Sequence, residues 1–100
     1  MIYNKLVRDR IPEIIRAKGN TCQTRILSDQ EYKIALDAKL GEELAEYFAS
    51  HNAEELADLL EVIYACAALQ SLSPADLERI RADKAAKRGG FKDKILLIES

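Results

Sequence analysis

Tryptophan is absent from this sequence of 100 residues, and histidine and methionine occur once each. The single histidine, His51, has no serine or cysteine partner beside it, so a hydrolytic triad has no support. Two cysteines, Cys22 and Cys66, form no CxxC pair. Two thiols do not make a disulfide framework, and a reducing, cytoplasmic setting fits them. Cys66 lies in an apolar helical run and reads as a buried free thiol. No apolar run approaches the ~20 residues of a membrane span. The start, "MIYNKLVRDR", has no apolar signal core. The expectation is a soluble cytoplasmic protein with no membrane partner. Charge of one sign is also lacking. Charged residues make up 32%, yet the net charge is −2. Such a balance gives no global attraction to nucleic acid.

What is present is 48% hydrophobic residues, enough for the modest core of one domain spanning 1–100. No linker, low-complexity tract or repeat interrupts it. "RDRIPEIIRAKG" reads as a short helix with Pro12 in its first turn and Gly19 closing it. "TCQTRIL", 21–27, alternates and fits a short strand. Ser28 and Glu31 fit a capping box that opens a long helix to about Ser50. Asn52 suits the N-cap of a second long helix over 53–71. Ser73 and Pro74 open another that runs to Arg88, and Gly89-Gly90 end it. The tail, 91–98, fits a strand or an extended arm. The predicted fold is mainly α: an antiparallel helical hairpin plus a third helix forming a bundle, with short β segments near 21–27 and 91–98.

The hairpin carries two acidic clusters, "GEELAE" and "EELAD". At about 100° per residue, Leu36, Leu40 and Tyr47 fall within roughly 60° of Glu43. Glu43 therefore lies inside the apolar stripe, with Glu46 on its border and Glu42 further round. On the next helix Glu55 and Asp58 also fall among Val62, Ala65 and Leu69, whereas Glu54 and Glu61 lie toward the wet side. Unpaired buried carboxylates cost several kcal/mol or take up protons. The basic residues within the two helices, Lys33 and Lys39, are too few to balance them. A divalent cation is the economical answer, and oxygen ligands without histidine or thiolate point to Mg²⁺, with Mn²⁺ as the alternative. Glu43 and Glu46 are i, i+3, as are Glu55 and Asp58. A short turn would bring the two pairs face to face as four metal ligands. Gly41, just before the motif, weakens its helix.

The paired motifs, Glu42-Glu43-x-x-Glu46 and Glu55-x-x-Asp58 across a hairpin, resemble the MazG-like all-α nucleoside triphosphate pyrophosphohydrolases. Phosphoribosyl-ATP pyrophosphohydrolases belong to the same superfamily. "YNKLVRDRIPEII" and "KAAKRGGF" look similar to the flanks of one small MazG-like subgroup, so the resemblance covers nearly the whole chain. It implies Mg²⁺-dependent cleavage of a nucleoside triphosphate to monophosphate and pyrophosphate. It also implies Glu43, Glu46, Glu55 and Asp58 as metal ligands, and a catalytic role for Glu42 and Glu43, with Glu42 positioning water or sitting outside the ligand set.

The basic ends supply candidates for a phosphate grip: Lys5, Arg8 and Arg10 at the start, and Lys84, Lys87 and Arg88 before Gly89-Gly90. Cations at that helix end also meet its dipole, and Arg8 with Asp9 would make a plain ion pair. The expected partners are a nucleotide and further copies of the chain, as a homodimer or homotetramer. The rival readings are phosphoribosyl-ATP as substrate, and a helical module that binds metal or nucleotide without cleaving it.

Overall fold

The computed structural model describes residues 3–100. Four helices follow one another: α1 (Ile11–Ala17), α2 (Asp29–Ser50), α3 (Ala53–Leu69) and α4 (Pro74–Arg88). Each begins and ends where local chemistry dictates. Pro12 sits in the first turn of α1, and Gly19 follows it at φ +82°, a backbone angle that side chains resist. At the start of α2 the Glu31 backbone N–H donates to Ser28 Oγ at 3.2 Å. The Ser28 N–H donates back to Glu31 Oε1 at 3.0 Å, which completes the capping box. His51 takes the left-handed conformation at φ 56°, its N–H bonded to the Tyr47 carbonyl, and turns the chain sharply. Asn52 then accepts from the Glu55 N–H and starts α3. Ser71 at φ 60° stops α3 at Leu69, two residues before the predicted end. Ser73 and Asp76 form a second capping box for α4, which Gly89 at φ +82° terminates.

α2 packs along α3 as the hairpin that its short turn demands, and α4 leaves α3 at a bend of 101°. The architecture is all-helical, as the sequence indicates. The predicted β segments are not formed: among the described residues, 21–27 and 91–98 pair with nothing as strands. Segment 21–27 alternates and 95–98 is an apolar run, but a strand needs a neighbour to take its backbone N–H and C=O groups, and the fold brings none. No single helix among the described residues is long and apolar enough to cross a membrane.

The start of α2 carries its own pH dependence. Arg25 forks onto Glu31 at 3.1 and 2.8 Å. That hydrogen bond and those from Ser28 hold the Glu31 carboxyl down at about 2, from an ordinary 4.5. A depressed carboxyl pKa adds stability above the unfolded value, which is lost as pH falls through the folded one. Thermal midpoints should therefore fall between pH 4.5 and about 2 by more in the wild type than in Glu31→Gln. Glutamine keeps the capping box but not the ion pair.

Candidate metal and anion site

The acidic cleft lies between α2 and α3, with the N-terminal segment before α1 laid across it. Among the described residues only Leu36, Val62 and Ala67 are buried apolar side chains, and Glu43 is buried with them at 6% exposure. A carboxylate thus sits in the core, on the apolar stripe that helical periodicity assigns to it. Burial drives its pKa above the usual carboxylate range; Lys39 opposes that shift and neighbouring Glu46 adds to it. Lys39 Nζ lies 3.3 Å from Glu43 Oε1. Glu43 Oε2 is buried with no hydrogen-bond partner among the described residues, and so is Glu55 Oε2 across the hairpin.

Glu42, Glu43 and Glu46 present carboxylate oxygens that all lie within 4.8 Å of one another. Their i, i+1, i+4 positions put them on one turn of α2. Glu46 is exposed and Glu42 half-buried. Burial works to raise the Glu42 pKa, but Lys5 and Lys39 outweigh it and hold that carboxyl below its ordinary value. Two adjoining carboxyls are therefore pushed in opposite directions.

The cations arrive from far along the chain. Lys5 Nζ reaches Glu42 Oε1 at 3.1 Å, and Arg8 Nη2 reaches Asp58 Oδ1 at 2.6 Å. Lys39 also touches Glu42 Oε2 at 3.3 Å. The expectation that the cluster lacks protein cations needs correction, because the N-terminal segment folds over and supplies two. Arg8 pairs with Asp58 rather than with Asp9.

Two hollows that share lining residues flank this contact, of about 210 and 220 Å³. Arg8, Lys39, Glu43 and Asp58 line both; Lys5 lines the second, and Tyr32 and Glu61 the first. Carboxylates from both helices thus face one space, as the antiparallel pairing predicts. The four expected ligands do not converge as a set, however. The tight cluster holds Glu42 with Glu43 and Glu46, Asp58 is engaged by Arg8, and Glu55 lines neither hollow. Among the other basic candidates, Arg10 pairs with Glu13 at 3.3 Å on the surface. Lys84, Lys87 and Arg88 are exposed on α4 and line neither hollow.

Lys39, Tyr32 and Glu61 are among the lining residues that sequence reasoning did not assign to the site. Lys39 was visible as an i, i+3 and i, i+4 partner of Glu42 and Glu43. Tyr32 carries no charge to single it out, and Glu61 falls on the wet border of α3, where it is exposed yet lines the hollow.

The donor set could hold a metal ion: three clustered carboxylates, one of them buried with an oxygen that no other described residue satisfies. The basic side chains beside it suit an anion. A stretch of 46 residues is 65% identical to a protein of Mycolicibacterium smegmatis described as uncharacterized. It covers 46% of this chain and 47% of that protein, so the chain spans about half the length of the curated relative it matches. No family model matches the chain. No solved structure matches it.

Proposed function

We propose that the chain is a Mg²⁺-dependent nucleoside triphosphate pyrophosphohydrolase of the MazG-like kind, releasing a monophosphate and pyrophosphate. The observation that carries this reading is the buried, half-unpartnered Glu43 carboxylate clustered with Glu42 and Glu46 beside Lys5, Arg8 and Lys39. Glu42, Glu43 and Glu46 would hold the cation, with Asp58 joining them once Arg8 lets go. When bound, the ion neutralises phosphate charge and acidifies water.

The chain's own residues do the rest. Arg8 and Lys5 are held by carboxylates across the mouth of the cleft, where a polyphosphate would compete for them. A guanidinium that leaves Asp58 for two phosphate oxygens trades one charge-assisted pair for another. In the cleavage, a water oxygen bonds to the α-phosphorus while the bond to the bridging oxygen breaks and pyrophosphate departs. The water's proton passes to a carboxylate. Glu42 or Glu43 would receive it.

One observation favours a second reading. The ion pairs of Lys5, Lys39 and Arg8 already compensate much of the acidic charge, as a helical module that binds a nucleotide without cleaving it would require. A panel of NTPs, dNTPs and phosphoribosyl-ATP, each with Mg²⁺ or EDTA, separates the two. Metal-dependent monophosphate and pyrophosphate are expected. Diphosphate with phosphate would overturn the bond assignment. Nucleotide binding without products would favour the module.

A further inference from the structure

Residues 3–10 cross the cleft with little to hold them there. They form no helix or strand, and among the described residues no backbone hydrogen bond joins them to α2 or α3. The α1 helix that follows packs on none of the other helices. Two ion pairs tie the segment down. Lys5 reaches Glu42 on α2 and Arg8 reaches Asp58 on α3, so the contacts land on opposite walls of the cleft. The geometry suits a bridge. Three residues of extended chain cover about 10 Å, and packed helix axes stand roughly 8–10 Å apart. Leu6 and Val7, between the two cations, line the first hollow.

Both ion pairs are open to water, with the Arg8 side chain 55% exposed and that of Lys5 45%. Exposed pairs are weak, and each shifts an equilibrium by no more than about five-fold. They hold the segment without locking it. Their charge nevertheless matters to any cation that enters. Glu42, Glu43, Glu46 and Asp58 carry four formal negative charges, and Lys5, Arg8 and Lys39 carry three positive ones. With the segment down, a single negative charge is left to attract a divalent ion. With Lys5 and Arg8 withdrawn, three are left, and Asp58 Oδ1 and Glu42 Oε1 come free.

We propose that residues 3–10 are an autoinhibitory strap, in which Lys5 and Arg8 act as tethered cations that compete with a divalent ion for the carboxylates of the cleft. This strap presupposes the cation site proposed above and adds what controls entry to it. Strap and ion exclude each other, so whatever draws Lys5 and Arg8 away favours the ion. A triphosphate does so, because it offers both side chains more oxygens and more charge than a single carboxylate. Such coupling is reciprocal, and the ion and the triphosphate raise each other's affinity by the same factor. The strap thus keeps free Mg²⁺ out until an anion arrives.

Mg²⁺ alone, without nucleotide, is the probe. Calorimetric titration of the full chain should give Arg8→Gln a Kd for Mg²⁺ about 2- to 5-fold below that of the wild type, and Lys5→Gln with Arg8→Gln a lower one still. Arg16→Gln removes the same charge from the exposed end of α1 and should leave the Kd unchanged. In the wild type, Mg²⁺ should also release the strap, read as a fall in the heteronuclear NOE of residues 3–10. Equal Kd values for the wild type and Arg8→Gln would overturn the strap and leave the cation site standing. So would residues 3–10 that stay equally ordered with and without Mg²⁺. An equal gain in Arg16→Gln would reduce the effect to net charge, and would overturn it too. Absence of Mg²⁺ binding in the wild type and every variant would remove the cation site itself, and the strap with it.

Discussion

Glu43→Gln is expected to lower Mg²⁺-dependent pyrophosphate release by about 10²–10⁴-fold, the range for loss of a positioned acid–base group. The metal-free fold should be untouched. Glutamine keeps the shape of the side chain and removes the charge whose burial is unfavourable. Lys39 retains Glu42 at 3.3 Å, so the exchange strands no cation. The metal-free thermal midpoint should therefore stay level or rise. Metal is where the variant should differ. A ligand at 100 times its Kd stabilises the form it binds by about 2.7 kcal/mol, and the variant should lose most of that increment. The pH trend has a definite sign. A raised carboxyl pKa favours the neutral group in the folded chain, so its contribution is lost as pH rises through the folded value. Cation binding needs the charged form and should weaken as pH falls. Melts with Mg²⁺ and with EDTA, beside a pyrophosphate assay, check each part. A variant that keeps turnover removes Glu43 from the chemistry. A variant that loses metal-free stability makes it a structural group.

Why Glu43 could be singled out at all is a matter of range. Helix limits rest on neighbours three or four residues apart, and Ser28 with Glu31, Asn52, and Ser73 with Asp76 are such neighbours. Periodicity uses the same short range, which is how it places Glu43 among Leu36, Leu40 and Tyr47. The contact of Lys5 with Glu42 spans 37 residues and that of Arg8 with Asp58 spans 50. No local rule reports which way the N-terminal segment folds, so the carboxylates read as uncompensated when two of their cations lay elsewhere in the chain. The same blindness produced strands at 21–27 and 91–98. The alternation at 21–27 and the apolar run at 95–98 record what a strand would bury, not whether another strand is near. A second stripe, Ile34, Ala38, Gly41, Ala45 and Phe48, lies exposed on the opposite side of α2 and was written in the sequence too, so α2 has two apolar faces. Only the packing of α3 shows which one the chain itself covers.

The two faces make opposite predictions for residues two positions apart. Leu36, at 2% exposure, is one of the few side chains that close the hairpin core. Leu36→Ala should lower unfolding free energy by about 2–5 kcal/mol, from lost burial and the cavity left behind. Against the 5–15 kcal/mol typical of a whole domain, that is a large fraction. Ile34→Ala removes an apolar side chain of similar size from the other face. In an isolated chain it should change stability by no more than about 0.5 kcal/mol, as at other exposed positions. If a second copy covers it, the loss should rise toward the roughly 1.5–3 kcal/mol of a fully buried aliphatic side chain. It would then appear as a midpoint that depends on protein concentration, since dissociation is coupled to unfolding. Urea unfolding of both variants at two concentrations reads the core and the exposed stripe in one series. A Leu36 effect that exceeds the Ile34 effect equally at every concentration would place all the stability inside one chain. An Ile34 effect that grows as the protein concentration is raised would place part of it between copies.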